Sequence, residues 1–299
     1  MPNLRGRNAN LLFAAALPLG SEGKVIGSEL SLSDSIAEAN ARSYRDLARE
    51  RYIEGAPHIR HGSLAKLYEG LLNDVFSHAA RQTARPVVLD LGAGEGALTQ
   101  KALALGATVT AVDVSESQLN QLRSECSECA ARLETIQADG LSAIDLLRKE
   151  GKQFDVVTAI SFLHHVPDYL GLLRQATALL APHGQVLTFQ DPMRYDSLPR
   201  WNKAFGRVSY VTWRLGQGDV FAGAMRYLRR RRGVYYDADN VEYLVVRNGV
   251  DQEAIARLFT ELGLRSELMR YFSTQSPFWQ RVGEQVGAVN TFSVRARMP

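Results

Sequence analysis

The stretch Leu89-Asp90-Leu91-Gly92-Ala93-Gly94-Glu95-Gly96-Ala97 decides the fold of this 299-residue chain. It follows Pro86-Val87-Val88, whose apolar, β-branched residues predict a buried strand. It leads into residues 98–104, which are typical of a helix. Glycines between a strand and a helix present backbone N–H groups and let a ligand approach the chain closely. The stretch therefore predicts a small-molecule site at the end of the first strand.

Asp90 is a carboxylate on this otherwise apolar strand, two residues before the first glycine. Burying a carboxylate is costly unless it is paired. The spacing Gly92-x-Gly94-x-x-Ala97 also satisfies the dinucleotide-binding fingerprint, which accepts alanine in the last place. A pyrophosphate would be repelled by Asp90, whereas a ligand with an ammonium group would be attracted to it. Asp90 thus favours a cationic ligand, and dinucleotide binding stays open as an alternative.

Four further strands are predicted downstream, at residues 107–112, 133–138, 154–161 and 184–189. The second strand ends at Asp113, about twenty residues past the first strand, where a carboxylate can accept both hydroxyls of a ribose. The third strand closes with Asp139 and Gly140, and the fourth leads into Ser161 and two histidines. Agreement among several motifs in order is more specific than any one of them.

This series of motifs resembles the class I S-adenosylmethionine-dependent methyltransferases of the small-molecule type. The resemblance implies an α/β, Rossmann-like methyltransferase fold with a seven-stranded, mostly parallel sheet whose last strand is antiparallel. It implies S-adenosyl-L-methionine as the cofactor, with the carboxylate of Asp139 holding the adenine amino group. The cofactor-binding residues that it implies are Asp90, Gly92, Ala93, Gly94, Gly96, Asp113, Val114, Asp139, Gly140 and Ser161.

The candidate catalytic residues are His164, His165 and Asp191. The histidines directly follow the fourth strand, and imidazole can accept a proton near neutral pH. Since adjacent residues do not normally face one pocket, we expect His164 to face the substrate and His165 to pack behind it. Asp191 ends the fifth strand and is either an alternative base or a residue that orients His164. A purely structural role for both histidines stays open, because many such enzymes work by proximity alone.

The chain divides into four predicted zones. Residues 1–82 form a helical N-terminal cap, residues 83–190 the cofactor-binding core, residues 191–249 an aromatic-rich lid insertion, and residues 250–299 a helix with the last two strands. The helix is expected over residues 251–262, and the two strands over residues 264–272 and 291–297. A helix is expected to run from residue 31 towards residue 52. Aromatic side chains of the cap and lid are the candidate substrate-binding residues, namely Tyr44, Tyr52, Tyr195, Trp201 and Trp213. The insertion can equally be a small helical subdomain with its own core.

Several other features have simpler interpretations. Cys126 and Cys129 recur at helical spacing with leucines, which favours core packing over a metal or redox site. No metal site is expected, because no ligand cluster has suitable spacing. His58 and His61 are expected in a surface turn. Residues 229–232 are four consecutive arginines, expected to form a solvated helix end. Binding of a carboxylate or phosphate on the substrate is one alternative, and binding of nucleic acid is another.

Composition sets bounds on partners and location. The net charge of +3 is too small to indicate nucleic acid, and no apolar run approaches the ~20 residues of a membrane span. Residues 5–17 imitate a short signal peptide, but a cofactor made and kept in the cytosol favours a cytoplasmic protein. The N-terminal segment is instead expected to form an arm, with a possible role in homo-oligomer formation.

The sequence therefore predicts a methyltransferase that acts on a small, largely apolar metabolite through O- or C-methylation, in secondary metabolism. Two alternatives stay open, a non-catalytic S-adenosylmethionine-binding sensor or scaffold and an NAD-dependent oxidoreductase.

Overall fold

The computed structural model of the protein describes residues 32–44, 56–217, 243–245 and 247–299. Its sheet has seven strands in the order β3-β2-β1-β4-β5-β7-β6. The strands are β1 Val87–Leu91, β2 Thr108–Asp113, β3 Leu133–Gln137, β4 Phe154–Ile160, β5 Leu180–Pro192, β6 Arg265–Tyr271 and β7 Thr291–Arg297. β1 to β5 pair in parallel, and β7 lies antiparallel between β5 and β6. The predicted fold class is confirmed.

Ten α-helices are described around this sheet. They are α1 Leu32–Tyr44, α2 Pro57–Arg60, α3 Gly62–Gln82, α4 Ala97–Ala104, α5 Glu116–Glu125, α6 Gly140–Lys149, α7 Tyr169–Thr177, α8 Arg200–Gln217, α9 Gln252–Glu261 and α10 Pro277–Gln285. None of the described helices is both long and apolar enough to span a lipid bilayer. Helix α9 starts where predicted, because the Asp251 side chain accepts a hydrogen bond from the Ala254 N–H.

The two faces of the sheet carry separate hydrophobic cores, because successive side chains of a strand point to opposite faces. Leu89 and Leu91 of β1 pack with α6, α7 and α9 on one face. Val88, between them in sequence, packs with α3, α4 and α5 on the other face. Burial on both faces explains why these parallel strands read as continuous apolar runs.

The strand order reverses between β1 and β4, since β2 follows β1 to one side and β4 lies on the other. Ligands of open α/β sheets bind at the carboxyl ends of the strands beside such a reversal. The loops after β1 and β4 therefore face the place where a ligand is expected.

The two cysteines pack as predicted. Cys126 is buried, Cys129 is half-buried, and both lie against the core beneath α5 as free thiols. Among the described residues, no group of three histidine, cysteine or acidic side chains could hold a metal ion.

Candidate active site

One cleft at the carboxyl edge of the sheet collects most of the predicted cofactor-binding residues and both predicted histidines. Its lining comes from the loops after β1 to β4, the bulge in β5, and the helices α1 and α2. The lining residues are Ile36, Ala37, Asn40, Ala56, Pro57, His58, Gly92, Gly94, Val112, Asp113, Val114, Gln118, Ala138, Asp139, Gly140, Leu141, Ile160, Ser161, Phe162, His164, His165, Val166, Pro167, Leu172 and Gln190.

The glycine loop after β1 needs its glycines for two different reasons. Gly92 has a φ of +71°, and a Cβ there would lie 2.3 Å from Cδ2 of Phe162, which lines the cleft. Gly96 has a φ of +88°, and a Cβ there would lie 2.1 Å from Cδ1 of the core residue Leu122. Gly92 and Gly94 line the cleft, whereas Gly96 and Ala93 are outside its lining. The loop thus combines a ligand-facing part with a packing part.

Asp90 lies in the interior between β1, β4 and α4, and is outside the lining of the cleft. Its Oδ2 accepts a hydrogen bond of 2.8 Å from Thr99 Oγ1, and its Oδ1 accepts one of 2.9 Å from Thr158 Oγ1. Burial raises the Asp90 pKa to about 6, against the opposing effect of these two hydroxyls. The carboxylate therefore ties the end of β1 to its neighbours. Direct contact with a ligand ammonium group stays a prediction.

Asp113 and Asp139 both line the cleft, at the ends of β2 and β3. Asp113 accepts hydrogen bonds from the backbone N–H groups of Gly94, at 2.9 Å, and Ser115, at 2.8 Å. Asp139 caps α6 by accepting from the N–H groups of residues 141 and 142. Burial raises the Asp113 pKa, and these N–H groups oppose that rise. Both carboxylates are held in fixed positions by the backbone.

The His164 and Asp191 side chains form a buried pair beside the glycine loop. His164 Nδ1 lies 2.7 Å from Asp191 Oδ1, and the His164 backbone N–H donates to the same oxygen at 3.1 Å. Burial lowers the His164 pKa to about 3 and raises the Asp191 pKa to about 7. At neutral pH the imidazole is therefore uncharged, and the carboxylate is close to its titration midpoint.

His165 lies beside His164 in the same cleft, so the expectation that only one histidine faces it is wrong. Both belong to the 3₁₀ turn Leu163–His165, and their ring centroids are 4.0 Å apart with the planes tilted by 42°. A 3₁₀ turn has about three residues per turn, so neighbouring side chains diverge by about 120° and do not point to opposite sides.

Two non-glycine residues of the lining have left-handed backbones. Ser161 has a φ of +52° and Gln190 a φ of +68°, and the Ser161 N–H donates to the Phe189 carbonyl at 2.7 Å. Gln190 is the extra residue at the irregularity in the β5–β7 register. Such conformations cost free energy and cluster at functional sites. The two residues shape the cleft where β4 and β5 end.

The predicted lid aromatics lie elsewhere. Tyr195 and Trp201 are 38% and 47% exposed, Trp213 is half-buried, and none of the three lines the cleft. Tyr195 belongs to the 3₁₀ turn Tyr195–Ser197, whereas Trp201 and Trp213 belong to α8. This helix packs towards α10 through ring contacts of Phe205 with Phe272 and Trp279. The side chains of Tyr44 and Tyr52, the continuation of α1 towards residue 52, and residues 229–232 lie outside the described part of the chain.

The prediction of a surface turn for His58 and His61 is wrong. His58 is 4% exposed and lines the cleft, and His61 is 7% exposed with its Nε2 2.7 Å from the Thr274 carbonyl oxygen. Asn40 on α1 also lines the cleft. Sequence reasoning missed His58 and Asn40, although the helical spacing of Ile36 and Asn40 was a signal for one shared face.

Comparisons with known proteins agree with this architecture. Residues 89–186 match a family model described as a methyltransferase domain. A ubiquinone biosynthesis O-methyltransferase of Pseudomonas syringae pv. tomato is 38% identical over 104 residues, which cover 33% of this chain and 41% of that protein. The chain thus matches less than half the length of such curated relatives.

Two solved structures show a similar fold. A geranyl diphosphate C-methyltransferase from Streptomyces coelicolor has a TM-score of 0.54 at 11% identity, covering 88% of this chain and 98% of that chain. An O-methyltransferase family protein from Burkholderia thailandensis has a TM-score of 0.50 at 16% identity, covering 87% and 63%. Residues 89–186, which include the loops after β1 to β4 that line the cleft, thus form a methyltransferase domain, and the sheet has the Rossmann-like topology expected for a class I S-adenosylmethionine-dependent methyltransferase.

Proposed function

We propose that this protein transfers a methyl group from S-adenosylmethionine to a hydroxyl oxygen of a small, largely apolar molecule. The observation that carries the proposal is the buried His164–Asp191 pair, whose histidine lines the same cleft as the glycine loop and the Asp113 carboxylate. When bound, the cofactor supplies an activated methyl group on a sulfonium. The protein then has to align the acceptor and remove its proton.

The residues around the glycine loop fit this cofactor. Gly92 and Gly94 allow close approach of a ligand to the backbone, because the lining has no side chain at these two positions. Asp113 would accept hydrogen bonds from the ribose hydroxyls, and Asp139 would hold the adenine amino group. The apolar side chains of Leu141 and Phe162 in the lining would contact the flat faces of the base.

His164 would act as the general base. Burial keeps its imidazole uncharged at neutral pH, which is the form that can accept a proton. With Asp191 ionised, the Nδ1–H donates to the carboxylate, so Nε2 is the nitrogen that takes the proton from the acceptor hydroxyl. Asp191 then stabilises the imidazolium that forms, and it acts through His164 as a positioning residue.

The remaining lining supports a largely apolar acceptor. The lining includes aliphatic surface from Ile36, Ile160, Val166 and Leu172. Burial of apolar ligand surface provides most of the affinity in such clefts, while a few polar groups fix the orientation. The name of the Pseudomonas syringae relative, an O-methyltransferase, favours oxygen as the acceptor atom. A place in secondary metabolism stays a prediction.

Methyl incorporation from radiolabelled S-adenosylmethionine into a panel of neutral phenols tests the proposal. The wild-type protein should label at least one phenol, and His164→Ala should slow labelling by about 10² or more while S-adenosylhomocysteine still binds. His183→Ala is the matched control, since His183 is an exposed histidine outside the cleft lining. Binding of S-adenosylhomocysteine without any transfer would instead support the sensor or scaffold alternative.

A further inference from the structure

One wall of the cleft is built by α1 and the start of α2. Its lining residues are mostly apolar, namely Ile36, Ala37, Ala56 and Pro57, with two polar exceptions, Asn40 and His58. Asn40 is 6% exposed and His58 is 4% exposed, so both polar side chains are almost completely withdrawn from water. Polar groups in such positions need hydrogen-bond partners.

His58 lacks such a partner at one nitrogen. Its Nδ1 is buried and has no hydrogen-bond partner among the described residues. The ring is held edge-on by Tyr68 and Phe189, with centroid distances of 5.6 and 5.9 Å. These two aromatic rings stack on each other at 4.9 Å and are part of the core. The imidazole is thus fixed in position by packing, which leaves Nδ1 as a preset polar point on the wall.

Asn40 has the same property at its oxygen. Its Nδ2 donates a hydrogen bond of 2.9 Å to the Ile36 carbonyl, one turn earlier in α1, which fixes the orientation of the amide. Its Oδ1 is buried and has no partner among the described residues. An amide oxygen can only accept, so Asn40 offers an acceptor to whatever occupies the cleft.

We propose that Asn40 and His58 form a second polar subsite, which binds a neutral hydroxyl group of the acceptor other than the oxygen that is methylated. The inference rests on the proposed function, and it names the acceptor as a neutral molecule with two polar groups on an otherwise apolar body. A hydroxyl can donate to the Asn40 oxygen, and it can donate to or accept from the His58 nitrogen, depending on the imidazole tautomer.

The charge of this subsite restricts its ligand. Burial, with a smaller contribution from Lys101, lowers the His58 pKa to about 4, so the ring is uncharged at neutral pH. The cleft also contains the carboxylates of Asp113 and Asp139. A neutral imidazole and an amide oxygen provide no charge to compensate a buried anion. An unpaired cation buried at this wall is penalised in the same way, and the positive charge of Lys101 also disfavours it, so the second polar group of the acceptor is neutral.

The test compares phenol, which has one hydroxyl, with catechol, resorcinol and hydroquinone, which have two. Binding of each probe to the complex with S-adenosylhomocysteine is measured by calorimetry, and methyl transfer is measured separately. The variants are Asn40→Leu and His58→Phe, each of similar shape without the unpartnered atom. His61→Phe is the matched control, because His61 is a buried histidine of the same turn that lies outside the cleft lining.

The wild-type protein should bind at least one dihydric probe about threefold to tenfold more tightly than phenol, as one added neutral hydrogen bond allows. In Asn40→Leu and His58→Phe, the ratio of the affinities for the dihydric probe and for phenol should fall towards one, while the affinity for S-adenosylhomocysteine stays unchanged. His61→Phe should keep the wild-type ratio. The ¹⁵N resonances of His58 should move when the preferred probe is added, while those of His61 should not. If either subsite variant fails to fold, this spectrum of the wild-type protein decides the question.

The inference is overturned if the wild-type protein binds all four probes equally, or if the two variants keep the preference. It is also overturned if the variants weaken the binding of S-adenosylhomocysteine, because Asn40 and His58 would then contact the cofactor. The failure of the proposed function has a different signature, namely tight binding of a dihydric probe with no methyl transfer to it.

Discussion

Replacement of Asp191 by asparagine is the sharpest perturbation of the proposed base. The Asp191 side chain is fully buried, and a single oxygen accepts from both the Nδ1 and the backbone N–H of His164. Asparagine has nearly the same shape, so packing is preserved. It removes the negative charge that would stabilise the imidazolium, and its amide group can hold the wrong tautomer of the ring.

The magnitude follows from the burial of the pair. A charge-assisted hydrogen bond contributes about 1.5–3 kcal/mol, and loss of one partner of a buried ion pair costs about 3–5 kcal/mol. Since about 1.4 kcal/mol corresponds to a tenfold rate change, Asp191→Asn should lower kcat/KM by about 10²–10³. The affinity for S-adenosylhomocysteine should stay within about threefold, a change of less than 1 kcal/mol, because Asp191 is outside the cleft lining.

The pH profile separates this role from a general loss of structure. Burial raises the Asp191 pKa to about 7, so below that pH a protonated carboxyl donates to His164 Nδ1 and Nε2 carries the ring proton. Ionisation of Asp191 releases Nε2 for catalysis, so kcat/KM of the wild-type protein should rise with pH through about 7. Asp191→Asn should lack this rise, because no proton leaves position 191.

The assay is initial-rate methyl transfer with the phenol that the wild-type protein labels best, measured over about pH 5.5 to 9, a range that brackets the Asp191 pKa of about 7. Asp155→Asn is the control, since Asp155 binds the Val87 N–H at the opposite end of β4 from the cleft. An Asp191→Asn variant with the parental rate and the parental pH profile would refute the reasoning, and His164 would then have only a structural role.

Three other perturbations test the cofactor side of the cleft. Gly92→Ala should abolish S-adenosylhomocysteine binding, because the added Cβ would overlap Phe162. Gly106→Ala is also at positive φ but has open space around it, so it should only lower the free energy of unfolding by about 1 kcal/mol. Calorimetry measures the binding and thermal unfolding the stability, and equal behaviour of the two variants would argue against a tight loop. Asp113→Ala should weaken the binding of S-adenosylhomocysteine about tenfold or more, because it removes an acceptor for charge-assisted hydrogen bonds. Unchanged affinity would refute the placement of Asp113 at the ribose. Burial raises the Asp90 pKa from 3.8 to about 6, so ionisation of Asp90 lowers the stability of the folded state as the pH rises through this window. In urea unfolding, Asp90→Asn should therefore gain stability relative to the wild-type protein between about pH 4 and pH 8. A parallel pH dependence of the two proteins would contradict this.

Much of the fold could be predicted from the sequence because its signals are local. β-Branched runs mark the strands, and the glycines after β1 mark the turn. Asp251 and Gly263 bound α9 at its two ends, as an N-cap and a left-handed C-terminal residue do. The last strand, Thr291–Arg297, has the bounds that were predicted for it.

The details of the site depend on long-range packing, which periodicity does not report. Asp90 was recognised as a buried carboxylate, but its partners Thr99 and Thr158 come from α4 and β4. His58 directly follows Gly55-Ala56-Pro57, a sequence typical of a turn. Its burial depends on contacts with Tyr68 and Phe189, which are distant in sequence. The bulge at Gln190 is set by pairing between β5 and β7, so no local pattern announces it.

The central claim is that the cleft beside the glycine loop binds S-adenosylmethionine. Calorimetric titration of the wild-type protein with S-adenosylhomocysteine and, separately, with NAD tests it most directly. The account predicts saturable, one-to-one binding of S-adenosylhomocysteine and no measurable heat with NAD. Binding of NAD without binding of S-adenosylhomocysteine would contradict it.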